Sequence, residues 1–142
     1  ELAGEHNGVR FYNDSKATNL DSTEKALLAF TQPIVLIAGG RDAHSDYARL
    51  NALVAERVRH LVTLGEAAPL IEEAWGTVVP FERAASMEAA VRRAAAAASP
   101  GDVVLFSPAC KSFDMYQNFE ERGRDFKRCV ADVTAEQRSA RA

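Results

Sequence analysis

Short apolar runs and amphipathic stretches succeed one another along this chain, and their order predicts strands alternating with helices. Val9–Asn13 is β-branched and aromatic in part and predicts a strand entered from a turn at Asn7-Gly8; residues 1–6 predict the other arm of a hairpin. Asp21, Ser22 and Thr23 offer helix caps, and Ala26, Leu27 and Phe30 supply an apolar stripe that stops before Pro33, a helix of about ten residues. Residues 34–38 are continuously apolar, as in a strand buried on both faces of a parallel sheet, and Gly39-Gly40 ends them. A helix is predicted over 46–57, a strand over Val58–Leu64 and a helix over 66–75. There follow a short strand over 77–81, a helix from Ser86 through an alanine tract, and a strand over Val103–Phe106. The longest amphipathic helix is predicted over 112–131, with Lys127 and Arg128 suiting the negative end of its dipole, and a polar, frayed tail from Ala135.

Strands that alternate with helices indicate a three-layer α/β fold of Rossmann-like form, a mostly parallel sheet of about six strands flanked by helices. In such sheets a ligand crevice lies beyond the carboxyl ends of the strands. Three polar segments fall at such ends: Asp14, Ser15, Lys16 and Thr18 after the first strand; Arg41, Asp42 and His44 after the second; Ser107, Lys111 and Ser112 after the last. Lysines and hydroxyls converging with helix amides imply an anionic ligand, a phosphate or a carboxylate. Taken alone, Asp14, Ser15 and Thr18 read better as turn and cap residues and Gly39-Gly40 as a tight turn, and the stripe Phe113, Tyr116, Phe119, Phe126 is read mainly as core, with one member lining a pocket.

Composition narrows this reading. The chain has 142 residues, a single-domain length, 26% charged residues and a net charge of -3, so it carries no basic footprint for nucleic acid. No apolar run approaches the roughly 20 residues of a bilayer span, and the expected location is cytoplasmic, without membrane insertion. Cys110 and Cys129 have no metal-ligand spacing and are expected to be reduced, buried thiols; His6, His44 and His60 are scattered, so no metal site is expected. The string G-x-G-x-x-G of dinucleotide folds is missing, and so is a phosphate loop G-x-x-x-x-G-K-[ST].

Taken together, N-D-S-K-A-T-N at 13–19, G-G-R-D with a later D-Y at 39–47, and S-P-A-C-x-S-F-D-M-Y-x-N-F-E-E-R-G at 107–123 closely resemble the C-terminal domain of the D-glutamate-adding Mur ligases of bacterial cell-wall synthesis. The resemblance implies a glutamate-binding domain over 1–134, followed by the tail at 135–142. It implies an ATP- and magnesium-dependent amide ligase joining D-glutamate to UDP-N-acetylmuramoyl-L-alanine through an acyl phosphate, with ATP and magnesium bound mainly by two preceding domains. By that resemblance Lys16, Thr18, Ser112, Phe113 and Phe119 contact D-glutamate, and Asp14 with Lys16 reaches the nucleotide. Where the family reads G-G-x-D-K-G-x-D-F, this chain has Ala43 for the lysine and His44 for the glycine. Lys111 is then a candidate for the missing cation, with Arg41 and His44 as weaker ones. The isolated chain is expected to be inactive. The alternative is a non-catalytic module that grips an acidic metabolite or scaffolds cell-wall enzymes.

Overall fold

The computed structural model describes residues 1–112 and 115–141. Its strands are β1 Leu2–His6, β2 Val9–Asn13, β3 Ile34–Gly39, β4 Val58–Leu64, β5 Phe81–Arg83 and β6 Val103–Phe106. Its helices are α1 Leu20–Leu28, α2 Asn51–Arg57, α3 Ala68–Trp75, α4 Met87–Ala97 and α5 Phe119–Arg141, with a 3₁₀ turn at Tyr47–Leu50 leading into α2. The strands form one sheet in the order β1-β2-β6-β3-β4-β5, and only the β1–β2 hairpin is antiparallel.

The apolar run of β3 serves two cores because successive side chains leave opposite faces of a strand. Ile34, Leu36 and Ala38 pack with Leu20, Leu27, Val54, Ile71 and Trp75 beneath α1, α2 and α3. Val35 and Ile37 pack with Phe11, Val104, Met87, Val91, Phe126 and Val130 beneath α4 and α5. All six residues of β3 are buried, as the central strand of a parallel sheet requires. Register decides where the loops emerge: Phe106 of β6 pairs with Asn13 of β2 on one side and Ile37 of β3 on the other. β2 and β6 therefore finish level and β3 runs two residues further, and the three polar segments that follow them share one edge.

Several expected boundaries move, each for a local reason. α1 begins at Leu20 and is capped by Asn19, whose Oδ1 accepts from Ser22 N at 3.0 Å, so Asp21, Ser22 and Thr23 lie inside the first turn. The short strand is Phe81–Arg83 rather than 77–81. Val78 N and Val79 N still bond to Trp75 O at the end of α3, and Pro80 has no N–H for a ladder, so pairing starts after it. The long helix does not open at residue 112. Ser112 O accepts from Met115 N and Tyr116 N in a local turn, and the helix starts at Phe119, where Asn118 Oδ1 accepts from Glu121 N at 2.7 Å.

The same helix continues past the end expected at 131, to Arg141, with Val133 and Thr134 buried and Arg92 of α4 paired to Glu136. Lys127 and Arg128 accordingly sit in mid-helix rather than at its end. Arg128 pairs with Asp125 and Asp132, and Lys127 pairs with the Glu1 carboxylate at 3.2 Å. Both cysteines are buried and unbridged. Burial pushes the Cys129 thiol up to about 11, which makes it inert at neutral pH.

Candidate functional site

Lys16 is exposed because the residues around it are held tightly. Asp14 N donates to Phe106 O at 2.8 Å, Asn13 Oδ1 accepts from Ser15 N, and Ala17 N and Thr18 N turn back onto Asp14 O and Lys16 O. Ala17 is buried completely and pins the loop to the core, while Lys16 projects outward and Thr18 is half-buried beside it.

Arg122 is the post to which this loop is tied. It lies on the face of α5 that also carries Phe126, Cys129 and Val133, and it is 2% exposed. Its Nε donates to Ser15 Oγ at 2.9 Å, its Nη2 to Ser15 O at 2.6 Å and its Nη1 to Cys110 O at 3.0 Å. Ser15 Oγ in turn donates to Phe119 O, and the guanidinium stands 5.6 Å from the centre of the Phe106 ring. One side chain thus joins the loops after β2 and β6 to the start of α5. Two glycines admit this closeness. A Cβ on Gly123 would meet Asn13 Nδ2 at 2.9 Å, and one on Gly40, whose φ is +136°, would meet Lys111 O at 2.4 Å.

The loop after β3 is anchored differently. Tyr47 OH donates to Asp42 Oδ1 at 2.8 Å and contacts Cys110 Sγ at 3.3 Å, while Tyr47 O accepts from the Trp75 indole. Burial drives the Tyr47 phenol far up, so it serves only as a neutral donor. His44 N bonds to Asp42 Oδ1, and His44 has φ +57°, in the left-handed region that favours glycine. His44→Gly is expected to stabilise the domain by about 0.5 to 1 kcal/mol, relief of backbone strain less the added chain entropy. Thermal melting checks it, and an unchanged or lower Tm would contradict the strain.

Two cavities meet at Lys16. The first, about 360 Å³, is lined by Ser15, Lys16, Phe119, Gly123, Arg124 and Lys127, and Phe119 is 40% exposed at its wall. The second, about 450 Å³, is walled by Tyr12, Phe30, Ala26 and Leu105, with Glu1, Asp14, Lys16 and Lys25 as its charged groups. Tyr12 and Phe30 stand 4.9 Å apart, ring centre to ring centre. Asp14 is half-buried and accepts from Ser107 Oγ at 2.9 Å, while Thr23 Oγ1 donates to Ser107 O.

Burial raises the Asp14 pKa despite the opposing effects of Ser107 and Lys16. A carboxyl whose folded pKa is raised binds its proton more tightly in the folded chain. Its contribution therefore favours folding at low pH and is lost as pH rises from the ordinary value of 3.8 through the raised one. Asp14→Asn is expected to raise Tm at pH 7 and to leave it unchanged near pH 3. A pH-independent difference would point to packing instead.

Of the residues singled out in the sequence, Asp14, Lys16, Thr18, Lys111 and Ser112 stand on this edge, and Phe119 joins them across the first cavity. Ser112 is buried. Phe113 lies outside the described residues, and the helix amides expected at Ser112 are instead those of α5 at Phe119 and beyond. Arg122 was not anticipated. The available signal was a charged residue at the i, i+4, i+7 spacing of an otherwise apolar helix face. Among the described residues no group of three or more His, Cys, Asp and Glu converges, and no helix is long and apolar enough to cross a membrane.

Comparisons with known proteins bear on the family and the fold. The chain is 53% identical over 135 residues to the UDP-N-acetylmuramoylalanine–D-glutamate ligase of Pelobacter propionicus, covering 95% of the chain and 29% of that protein. It is 54% identical over 123 residues to the ligase of the same name from Salinibacter ruber, covering 86% of the chain and 27% of that protein. The chain thus spans less than a third of the curated relatives it matches. In fold it resembles FolC of E. coli, solved with ADP, at TM-score 0.57 and 21% identity over 98% of the chain and 31% of FolC. It also resembles a domain of a ligase from Haemophilus ducreyi, at TM-score 0.55 and 17% identity over 92% of the chain and 98% of that domain. The family model described as the glutamate ligase domain of Mur ligases matches residues 1–110, so the chain belongs to the Mur ligase glutamate ligase domain family.

Proposed function

We propose that this chain is the C-terminal, glutamate-binding domain of a cytoplasmic ATP-dependent ligase that adds D-glutamate to UDP-N-acetylmuramoyl-L-alanine in peptidoglycan synthesis. The observation that carries the reading is Lys16, which lines both cavities at once. On one side it faces the wall formed by Phe119; of the D-glutamate contacts that the family resemblance implies, Lys16, Thr18, Ser112, Phe113 and Phe119, it is Lys16 and Phe119 that line this cavity. On the other it stands beside Asp14, whose carboxylate can accept from sugar hydroxyls while the ammonium holds a phosphate. The aromatic and apolar walls around Tyr12 and Phe30 suit the remainder of a nucleotide.

The reaction such a site serves needs no protein nucleophile. A carboxylate of the UDP-sugar peptide takes the γ-phosphoryl group of ATP with ADP leaving, the amine of D-glutamate attacks the acyl carbon, and inorganic phosphate leaves as the amide forms and the amine gives up a proton to solvent. The work of this domain is positioning and charge neutralisation, which account for most of the catalysis in phosphoryl transfer. Magnesium would screen the triphosphate. Its site is assigned to the preceding domains by the family resemblance, as is the phosphate loop, whose string G-x-x-x-x-G-K-[ST] does not occur in this chain.

The test is turnover of the full-length protein. With ATP, magnesium and UDP-N-acetylmuramoyl-L-alanine, phosphate release should depend on D-glutamate and not on L-glutamate or L-alanine, and the isolated domain should release none. No D-glutamate-dependent turnover from the full-length protein would leave the non-catalytic module as the better reading.

A further inference from the structure

Arg41 and Lys111 are exposed and form a reciprocal backbone bridge: Arg41 N donates to Lys111 O at 2.7 Å, and Lys111 N to Arg41 O at 3.0 Å. Residues that exchange both bonds in an antiparallel bridge are directly opposed, and their side chains leave on the same side. Two cations are therefore set shoulder to shoulder, and among the described residues neither has a carboxylate within 4 Å. Like charges so opposed are destabilising, and the backbone bridge itself could be made by almost any pair of residues. The bridge is also rigid from beneath. Gly40 lets the Lys111 carbonyl approach closely, and the Arg122 guanidinium holds the Cys110 carbonyl one residue before it.

A pair of cations held side by side at the carboxyl edge of the sheet, with no anion beside it among the described residues, is arranged for an anionic ligand. We propose that Arg41 and Lys111 together form a clamp for one carboxylate of the incoming glutamate, filling the role left open at Ala43. The inference rests on the glutamate reading given above. Arg41 belongs to the loop after β3 and Lys111 to the loop after β6, while Lys16 belongs to the loop after β2. Those strands are neighbours with β6 in the middle, so the outer two lie about 10 Å apart. Long side chains can reach across that distance to hold both ends of a dicarboxylate, Lys16 one and the clamp the other. The guanidinium offers a planar fork and the ammonium a compact charge, which together can occupy both oxygens of a carboxylate.

The experiment compares Michaelis constants in the full-length enzyme for Arg41→Gln, Lys111→Gln, the double variant, and the double variant with Ala43→Lys. Each single change is expected to raise KM for D-glutamate about tenfold, and the double change more than either alone. KM for ATP and for the UDP-sugar substrate should change less than about twofold, and Ala43→Lys should recover at least about tenfold of the loss. Tm should stay level or rise, because opposed like charges have been removed. An unchanged D-glutamate KM in the double variant overturns the clamp, and so does an equal rise for all three substrates, which would mark a structural role. If the unaltered enzyme makes no amide from D-glutamate, the reading of the whole site fails and the clamp fails with it, an outcome distinct from a working enzyme indifferent to both variants.

Discussion

Arg122→Ala is expected to remove about 3 to 5 kcal/mol of folding stability, the largest loss from any single substitution on the crevice side of this domain. Truncation takes the donors from two backbone carbonyls, Ser15 O and Cys110 O, and leaves Ser15 Oγ without its guanidinium neighbour. An orphaned buried acceptor costs roughly 1 to 3 kcal/mol, and the void beside Phe106 adds lost packing. Relief from desolvating the guanidinium offsets part of this and is the reason the total stays below the simple sum. Lysine should be nearly as damaging, since one ammonium cannot span three acceptors held in a fork. Thermal melting should show a fall on the order of 10 °C. A shift of under about 2 °C for Arg122→Ala would mean that the loops after β2 and β6 hold together without it.

In the full-length enzyme, Lys16→Ala is expected to lower kcat/KM for D-glutamate roughly ten- to a hundredfold, the equivalent of one charge-assisted hydrogen bond of about 1.5 to 3 kcal/mol. Folding should be unaffected because Lys16 is exposed and has no ion pair among the described residues; the loop is held by Ala17, Ser15 and Arg122 instead. The nucleotide side should also respond, since Lys16 lines the cavity that contains Asp14. KM for the UDP-sugar should barely move. Equal losses for D-glutamate and the UDP-sugar, or a lowered Tm, would show that Lys16 supports the loop rather than a ligand.

The two predictions separate two jobs that occupy adjacent positions in one loop. Ser15 faces inward to Arg122 and carries no ligand chemistry, whereas Lys16 faces outward and carries no packing. The same division recurs after β6, where the Cys110 carbonyl is tied down and the Lys111 side chain is exposed. A crevice that must hold small anions in defined places needs its backbone fixed by groups other than those that bind. Asp14 joins the two roles, and its raised pKa is the cost of placing a carboxylate where burial disfavours its charge.

By itself the sequence determined the architecture and the edge of the sheet that carries the chemistry. Continuous apolar runs at 34–38 and Val103–Phe106 mean strands buried on both faces, and polar segments directly after them mean ligand-side loops; both inferences use only neighbouring residues. The motif strings also placed the chain in its family. The tertiary structure decided what depends on residues remote in the chain. Propensity allowed the last helix to begin at 112, but Gly40 lets the Lys111 carbonyl close onto Arg41 just beyond β3 and the Asn118 side chain caps the next turn, so α5 starts at Phe119. Periodicity marked Arg122 only as out of place on an apolar face. That it joins Ser15 to Cys110 follows from the parallel pairing of β2 with β6. The partnership of Arg41 with Lys111 arises the same way, because strand pairing is non-local and its register is set by the packing of two whole layers rather than by any string of residues that contains either one.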